Sequence, residues 1–141
     1  MHRRDLARVE TIYEQLAHET PPDEWLPVAQ QSIDDTSGPP LAWVAVAPGD
    51  HVIGYIIGAI RSWEFGSAPA GWVIAIGVDL AHRQENAGKD LLQRLVASFA
   101  ARGTRTVRTM VRRDDIRVLR FFRNAGFANG PYTELEMEVL T

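Results

Sequence analysis

Residues 72–103 constrain the fold of this chain more than any other stretch. An apolar run at 72–78 gives way to a polar turn holding Arg83, Asn86 and Gly88. Beyond the turn, Leu91, Leu92, Leu95 and Phe99 recur at helical spacing, and Gly103 is placed to end the helix. A strand, a tight turn and a helix start in succession aim several unpaired backbone N–H groups at one point. The helix dipole adds partial positive charge there, so the turn is a candidate anion site. Gly77, inside the strand, is the kind of residue that marks a bulge or a close backbone approach by a ligand.

The rest of the chain supplies a sheet and its cover. Leu6, Val9, Tyr13 and Leu16 predict a helix over residues 4–18, ended by Pro21 and Pro22. A second, short helix starts near Asp23 and carries Trp25, Val28 and Ile33, with Pro27 tolerated in its first turn. Residues 41–47 and 51–61 are β-rich runs joined by a hairpin turn at Pro48-Gly49-Asp50, and residues 62–71 read as a loop. After the central helix come a strand at 104–112 and a helix capped by Asp114 or Asp115 that ends near Asn124 or Ala125. A turn at Asn129-Gly130-Pro131 then leads to a last strand at 132–140. Hairpins first and a β–α–β unit later predict a single α/β domain over residues 1–141, a twisted mixed sheet with helices on both faces.

Composition narrows the chemistry. A chain of 141 residues, 45% hydrophobic, suits one core. Without Cys it has no disulfide, no thiolate nucleophile and no thiolate metal ligand, and no metal is expected. The longest apolar run, residues 52–60, is too short to span a bilayer. The start, His2-Arg3-Arg4-Asp5, lacks the apolar core of a signal peptide, so a cytoplasmic protein with no membrane partner is expected. Charge is lopsided: residues 83–123 hold 11 of the 15 Lys and Arg but 4 of the 18 Asp and Glu. A basic half beside an acidic half suggests an anionic ligand on one side and allows a cationic substrate on the other. Nucleic acid is a rival explanation for the basic half. The net charge of −3 and the lack of interleaved aromatic and basic residues argue against it.

The turn Arg83-Gln84-Glu85-Asn86-Ala87-Gly88 resembles the pyrophosphate loop of the GCN5-related N-acetyltransferases, which reads Gln or Arg, two residues, Gly, one residue, then Gly or Ala. Asn86 stands where the first Gly is usual, and Asn is among the few other residues that readily enter left-handed backbone conformations. A second stretch of the family, after its fifth core strand, is matched by residues 115–127. Its tail, Phe121-Phe122-Arg123-Asn124-Ala125-Gly126-Phe127, follows the loop with a helix and a strand between. The resemblance covers roughly residues 4–140. The family's first strand would precede Arg4, so the sheet is expected to lack it: either the chain is truncated or another segment covers that edge.

The resemblance implies an acetyltransferase with acetyl-CoA as cosubstrate and an amine as acceptor. The backbone N–H groups of Gln84, Glu85, Asn86, Ala87, Gly88 and Lys89 would hold the pyrophosphate, with Arg83 and Lys89 adding charge. The strand at Ile76, Gly77 and Val78 would pair with the pantetheine arm, and the backbone near Gly77 and Val78 would stabilise the tetrahedral oxyanion. Asp115 and Phe122, in the second stretch, join the cofactor side.

The family often uses a Tyr acid where this chain has Phe122, and a Glu base where it has Trp72. Tyr132 is the nearest alternative acid. Glu64, between Trp63 and Phe65, is the candidate base or substrate anchor, with Asp79 and His82 as the others; Asp79 also suits a turn or cap. Arg117, Arg120 and Arg123 share one helix face, either solvated or facing the adenosine 3′-phosphate. The expected activity is acetyl transfer to a primary amine of a small molecule, protein N-terminus or lysine. The alternative is an acyl-CoA-binding domain with weak or no catalysis. Open sheet edges allow a homodimer.

Overall fold

The computed structural model describes residues 1–17, 25–62 and 64–140, without the side chains of Glu64, Gln84 and Glu85. The chain divides into two compact units, Met1–Thr109 and Met110–Thr141. The first begins with a single 3₁₀ turn, Arg3–Asp5, and helices α1 (Leu6–Ala17) and α2 (Trp25–Asp34). Strands β1 (Ala42–Ala47), β2 (His51–Arg61) and β3 (Ala70–Val78) follow, then a 3₁₀ segment Leu80–Glu85, helix α3 (Ala87–Ala101) and strand β4 (Val107–Arg108). The sheet order is β1-β2-β3-β4, with the first three strands antiparallel and β4 parallel to β3. The expected start of the second helix, near Asp23, lies outside the described residues.

Both faces of the sheet are covered, as the order of elements predicts. On one side Leu6, Val9 and Ile12 of α1 and Ala29 of α2 pack with Ala42, Tyr55 and Ile57. On the other, Phe99 and Leu95 of α3 lie against Gly58 and Gly71 so closely that a Cβ at either glycine would come within 2.8 Å of their side-chain atoms. The sheet is smooth there because the ring of Phe99 needs the space. The open edge at β1 receives the Met1 ammonium, which donates to the Ala42 carbonyl at 3.0 Å. Ser32, buried on α2, donates to the Gly58 carbonyl at 2.7 Å and ties that helix to the sheet.

Three sequence expectations change. The strand predicted at 104–112 is reduced to the two paired residues Val107 and Arg108. The strand predicted at 132–140 does not form: those residues have no regular secondary structure and are exposed. Between β3 and α3 the chain makes a 3₁₀ segment rather than a bare turn. In the second unit, α4 (Ile116–Asn124) is amphipathic as its spacing predicts, with Phe122 buried and stacked edge-on against Phe121 and Phe127. Ile116, which the spacing assigns to the apolar side, is exposed.

Candidate functional site

The site grows from the end of β3. Its pairing with β4 is confined to Gly71 with Val107 and Trp72 with Arg108, extended by Thr109 Oγ1 donating to the Val73 carbonyl at 3.1 Å. Beyond Val73 the two strands part. Antiparallel ladders alternate inward and outward backbone groups. The Asp79 N–H donates to the Ile53 carbonyl at 2.7 Å, and Tyr55 lies opposite Gly77. The polar groups of Gly77 therefore turn toward β2, while those of Ile76 and Val78 face the parted side. The N–H of Val78, rather than that of Gly77, is therefore the one that points away from β2.

Gly77 has a packing reason to be glycine. A Cβ there would meet the Tyr55 ring at 2.7 Å and Leu16 at 3.0 Å, so the residue makes room for a buried tyrosine on the α1 face. Burial pushes the Tyr55 hydroxyl above its ordinary pKa, with Tyr13 adding to the shift.

Asp79 sets the path out of the strand. Its carboxylate caps the 3₁₀ segment by accepting from the Ala81 N–H at 3.1 Å and takes a 2.7 Å bond from the Arg8 guanidinium; His82 Nδ1 lies 3.7 Å away. The Ala81 N–H first, then Arg8, hold this carboxyl below the usual Asp range. A depressed folded-state pKa contributes stability that is complete above the ordinary value near 4 and is lost as pH falls through the folded value. Asp79→Asn is expected to destabilise the fold at neutral pH by about 1–3 kcal/mol and to reduce the loss of stability below about pH 4. Thermal melts at a series of pH values would show both effects. An unchanged acid limb would remove Asp79 from this account.

The 3₁₀ segment delivers the chain to Asn86, whose φ of 57° and ψ of 17° are left-handed, as its identity predicts. Helix α3 begins at Ala87, and the Asp90 N–H is the donor that bonds the Asn86 carbonyl. The N–H groups of Ala87, Gly88 and Lys89 belong to the first turn, which has no carbonyl of its own helix to meet. Lys89 is exposed and Arg83 half-buried. Within this unit the parted strand and the helix start are successive in the chain, separated by eight residues that fold back on Asp79.

The remaining sequence candidates fall elsewhere. The side chain of Glu64 lies outside the described residues, although its backbone joins a 3₁₀ turn with Phe65 at a φ of 53°. Asp115, Phe122 and Tyr132 belong to the second unit. There Asp115 caps α4 by accepting from the Val118 N–H at 3.2 Å, Phe122 is core, and Tyr132 is exposed. Arg117, Arg120 and Arg123 are solvated. Part of the basic character is structural: Arg102 grips the Pro39 carbonyl and Asp35, fastening the end of α3 to the loop after α2. A cavity of about 300 Å³ lies toward the other end of the strands, lined by Val28, Asp35, Leu41, Arg61 and Ile74. Among the described residues no helix is long and apolar enough to cross a membrane.

Over residues 6–127 the chain matches the acetyltransferase (GNAT) family, and it belongs to that family of acyl-CoA-dependent N-acetyltransferases. No curated protein sequence matches it. Its fold is similar to that of the aminoglycoside N-acetyltransferase AAC(6')-Iy, solved with a CoA-containing bisubstrate analogue, at 19% identity and a TM-score of 0.79 over 99% of this chain and 95% of that one. It also resembles AAC(6')-Ih from Acinetobacter baumannii (14% identity, TM-score 0.78, 100% and 96% covered). A third likeness is to a ribosomal-protein-alanine N-acetyltransferase from Brucella melitensis biovar Abortus 2308 (18%, 0.73, 99% and 96%).

Proposed function

We propose that residues 1–141 act as one acetyltransferase domain that moves an acetyl group from acetyl-CoA to a primary amine. The observation that carries this reading is the parting of β3 from β4 directly ahead of a left-handed Asn86 and the start of α3. The backbone of Ile76 and Val78, whose polar groups turn away from β2, suits the amide-bearing pantetheine arm, which pairs as an added strand. Backbone N–H groups from Gln84 to Lys89 suit the pyrophosphate, with Lys89 and Arg83 supplying charge. The Val78 N–H serves the oxyanion of the tetrahedral intermediate.

Attack is direct, since the chain has no Cys and its sequence suggests no Ser–His–Asp arrangement to carry an acyl group. The amine must arrive neutral, a demand met more readily by an α-amine of pKa about 7.7–8.0 than by a lysine-type amine near 10.4. Glu64 is the proposed base or amine anchor and Tyr132 the proposed acid. Aminoglycosides and protein N-termini head the acceptor panel, because the similar structures carry those names and the N-terminal part of this chain is acidic. The compartment is proposed to be the cytoplasm.

Isothermal titration should show CoA binding, and a thiol-release assay with the amine panel should show turnover. Binding without thiol release from any amine would favour the non-catalytic acyl-CoA-binding reading, which Phe122 supports by lacking a proton to give. Absence of CoA binding at millimolar concentration would sink both. Asn86→Gly should keep CoA affinity. Asn86→Val forces a β-branched residue into left-handed backbone at about 1–2 kcal/mol and should weaken binding roughly tenfold. Equal affinities for the two variants would detach the loop geometry from binding.

A further inference from the structure

The cavity beside α2 takes no part in the cofactor chemistry above. Its walls come from α2, β2 and β3, all within the first unit. Its volume of about 300 Å³ is at the small end for a ligand site. Ile74 is where it meets the central strand. Ala75 is opposite Ile57 and Val73 opposite Gly58, so Ile74 is the extra residue of a bulge. It is also the first residue beyond the bond from Thr109 to the Val73 carbonyl, where β3 and β4 part. The cavity therefore opens from the strand assigned to acetyl-CoA.

Most of its polar groups are already committed. Ser32 gives its hydroxyl to the Gly58 carbonyl. Asp35 is answered by Arg102 at 3.0 Å and accepts two further bonds from Ser37. The side chains of Gln31 and Arg61 make no hydrogen bond or ion pair among the described residues. Arg61 is thus the one charge in the described wall without a counter-charge. Its guanidinium lies over the Trp72 ring at 5.1 Å, which fixes its place while leaving the N–H fork at its edge free. That fork matches a carboxylate, which it takes in two parallel bonds. Val28, Leu41, Ile60 and Ile74 supply hydrocarbon around it. The wall therefore asks for a ligand with an apolar body and one carboxylate.

We propose that this cavity holds the acceptor, a short apolar peptide with a free C-terminus, its carboxylate on Arg61 and its N-terminal amine at the thioester. This rests on the acetyltransferase reading and narrows its acceptor panel. The length follows from positions along β3. From Trp72, under the Arg61 guanidinium, the strand runs about 13 Å to Ile76 and about 20 Å to Val78. The ion pair at one end and the approach of amine to carbonyl at the other take up about 3 Å each. What remains is about 7–14 Å, the span of about two to four extended residues. A peptide also brings an α-amine, which reaches the neutral state that direct attack demands more readily than a lysine-type amine.

Alanine–leucine peptides from dipeptide to octapeptide, each made as the free acid and as the C-terminal amide, hold the α-amine constant and vary only reach and charge. Titration calorimetry on the full chain should show acids of about two to four residues binding about tenfold tighter than their amides. Thiol release should show the same preference in KM, and octapeptides should lack it. Arg61 is exposed, so Arg61→Gln leaves the core intact; it should weaken the acids alone and erase the preference. Arg61→Lys should restore part of it. Acids and amides that bind alike overturn the proposal, as does an acid preference that Arg61→Gln leaves unchanged. Turnover of amines without that preference keeps the acetyltransferase reading and overturns the peptide site alone. Arg61-dependent binding of the acids with no thiol release supports the peptide site and sinks the catalytic reading instead.

Discussion

Phe99→Ala is expected to cost about 3–5 kcal/mol, the largest stability loss of any single truncation in the first unit. The ring is fully buried and rests on Gly58 and Gly71, which contribute no side chains of their own. Deleting it leaves a void floored by sheet backbone. Strand backbone held by ladders on both sides cannot slump into the space, so the cavity stays open and the cost sits at the high end for its chemistry. Native domains are stable by about 5–15 kcal/mol in total, so the variant should hold a much smaller folded margin. Urea unfolding checks this through a lower midpoint at unchanged slope. The converse substitution, Gly71→Val, pushes a side chain into a ring at 2.6 Å and should destabilise by about 1–3 kcal/mol. If Phe99→Ala unfolds within about 1 kcal/mol of wild type, α3 is not seated on the sheet as described.

How legible this chain is depends on the range of the interactions involved. Local signals are plain. Asn86 is legible as a left-handed residue because few others tolerate that conformation, Asp79 as a cap because its carboxylate reaches the N–H two residues on, and Gly103 as a helix stop with φ of 83°. Long-range partners are not. Nothing in the spacing announces that Arg8 closes on Asp79 across 71 positions, or that Arg102 ties α3 to Pro39. Gly77 is legible as special, but the ring it accommodates, Tyr55, is on another strand and is not announced by the spacing. The strand expected at 104–112 shrinks because β-propensity describes fit to a sheet, and a strand continues only while a neighbour pairs with it. The same rule covers 132–140, where alternation of Glu with apolar residues suits a strand but becomes one only where a neighbour pairs with it.

Val78→Pro is expected to lower kcat by about 10²–10³ while leaving the fold in place. The substitution is unusually clean at this position. Val78 lies opposite Gly54 in the pair that exchanges no bonds with β2, so a proline there removes no ladder hydrogen bond. The preceding residue, Gly77, is already extended within β3, which is the conformation that a following proline demands. What disappears is one N–H on the parted side of the strand, the donor assigned to the developing oxyanion. Because that charge exists in the transition state and not in the bound thioester, the effect belongs in kcat more than in affinity for acetyl-CoA. Val78→Ala trims the side chain but keeps the donor and should retain activity within a few fold. Steady-state rates on the amine found by thiol release, alongside CoA titration, separate the cases. A folded Val78→Pro enzyme that turns over like Val78→Ala would mean that the oxyanion is held elsewhere. Abolished CoA binding with retained fold would instead place the Val78 amide on the pantetheine arm, as a hydrogen bond of equal strength in the ground state and the transition state.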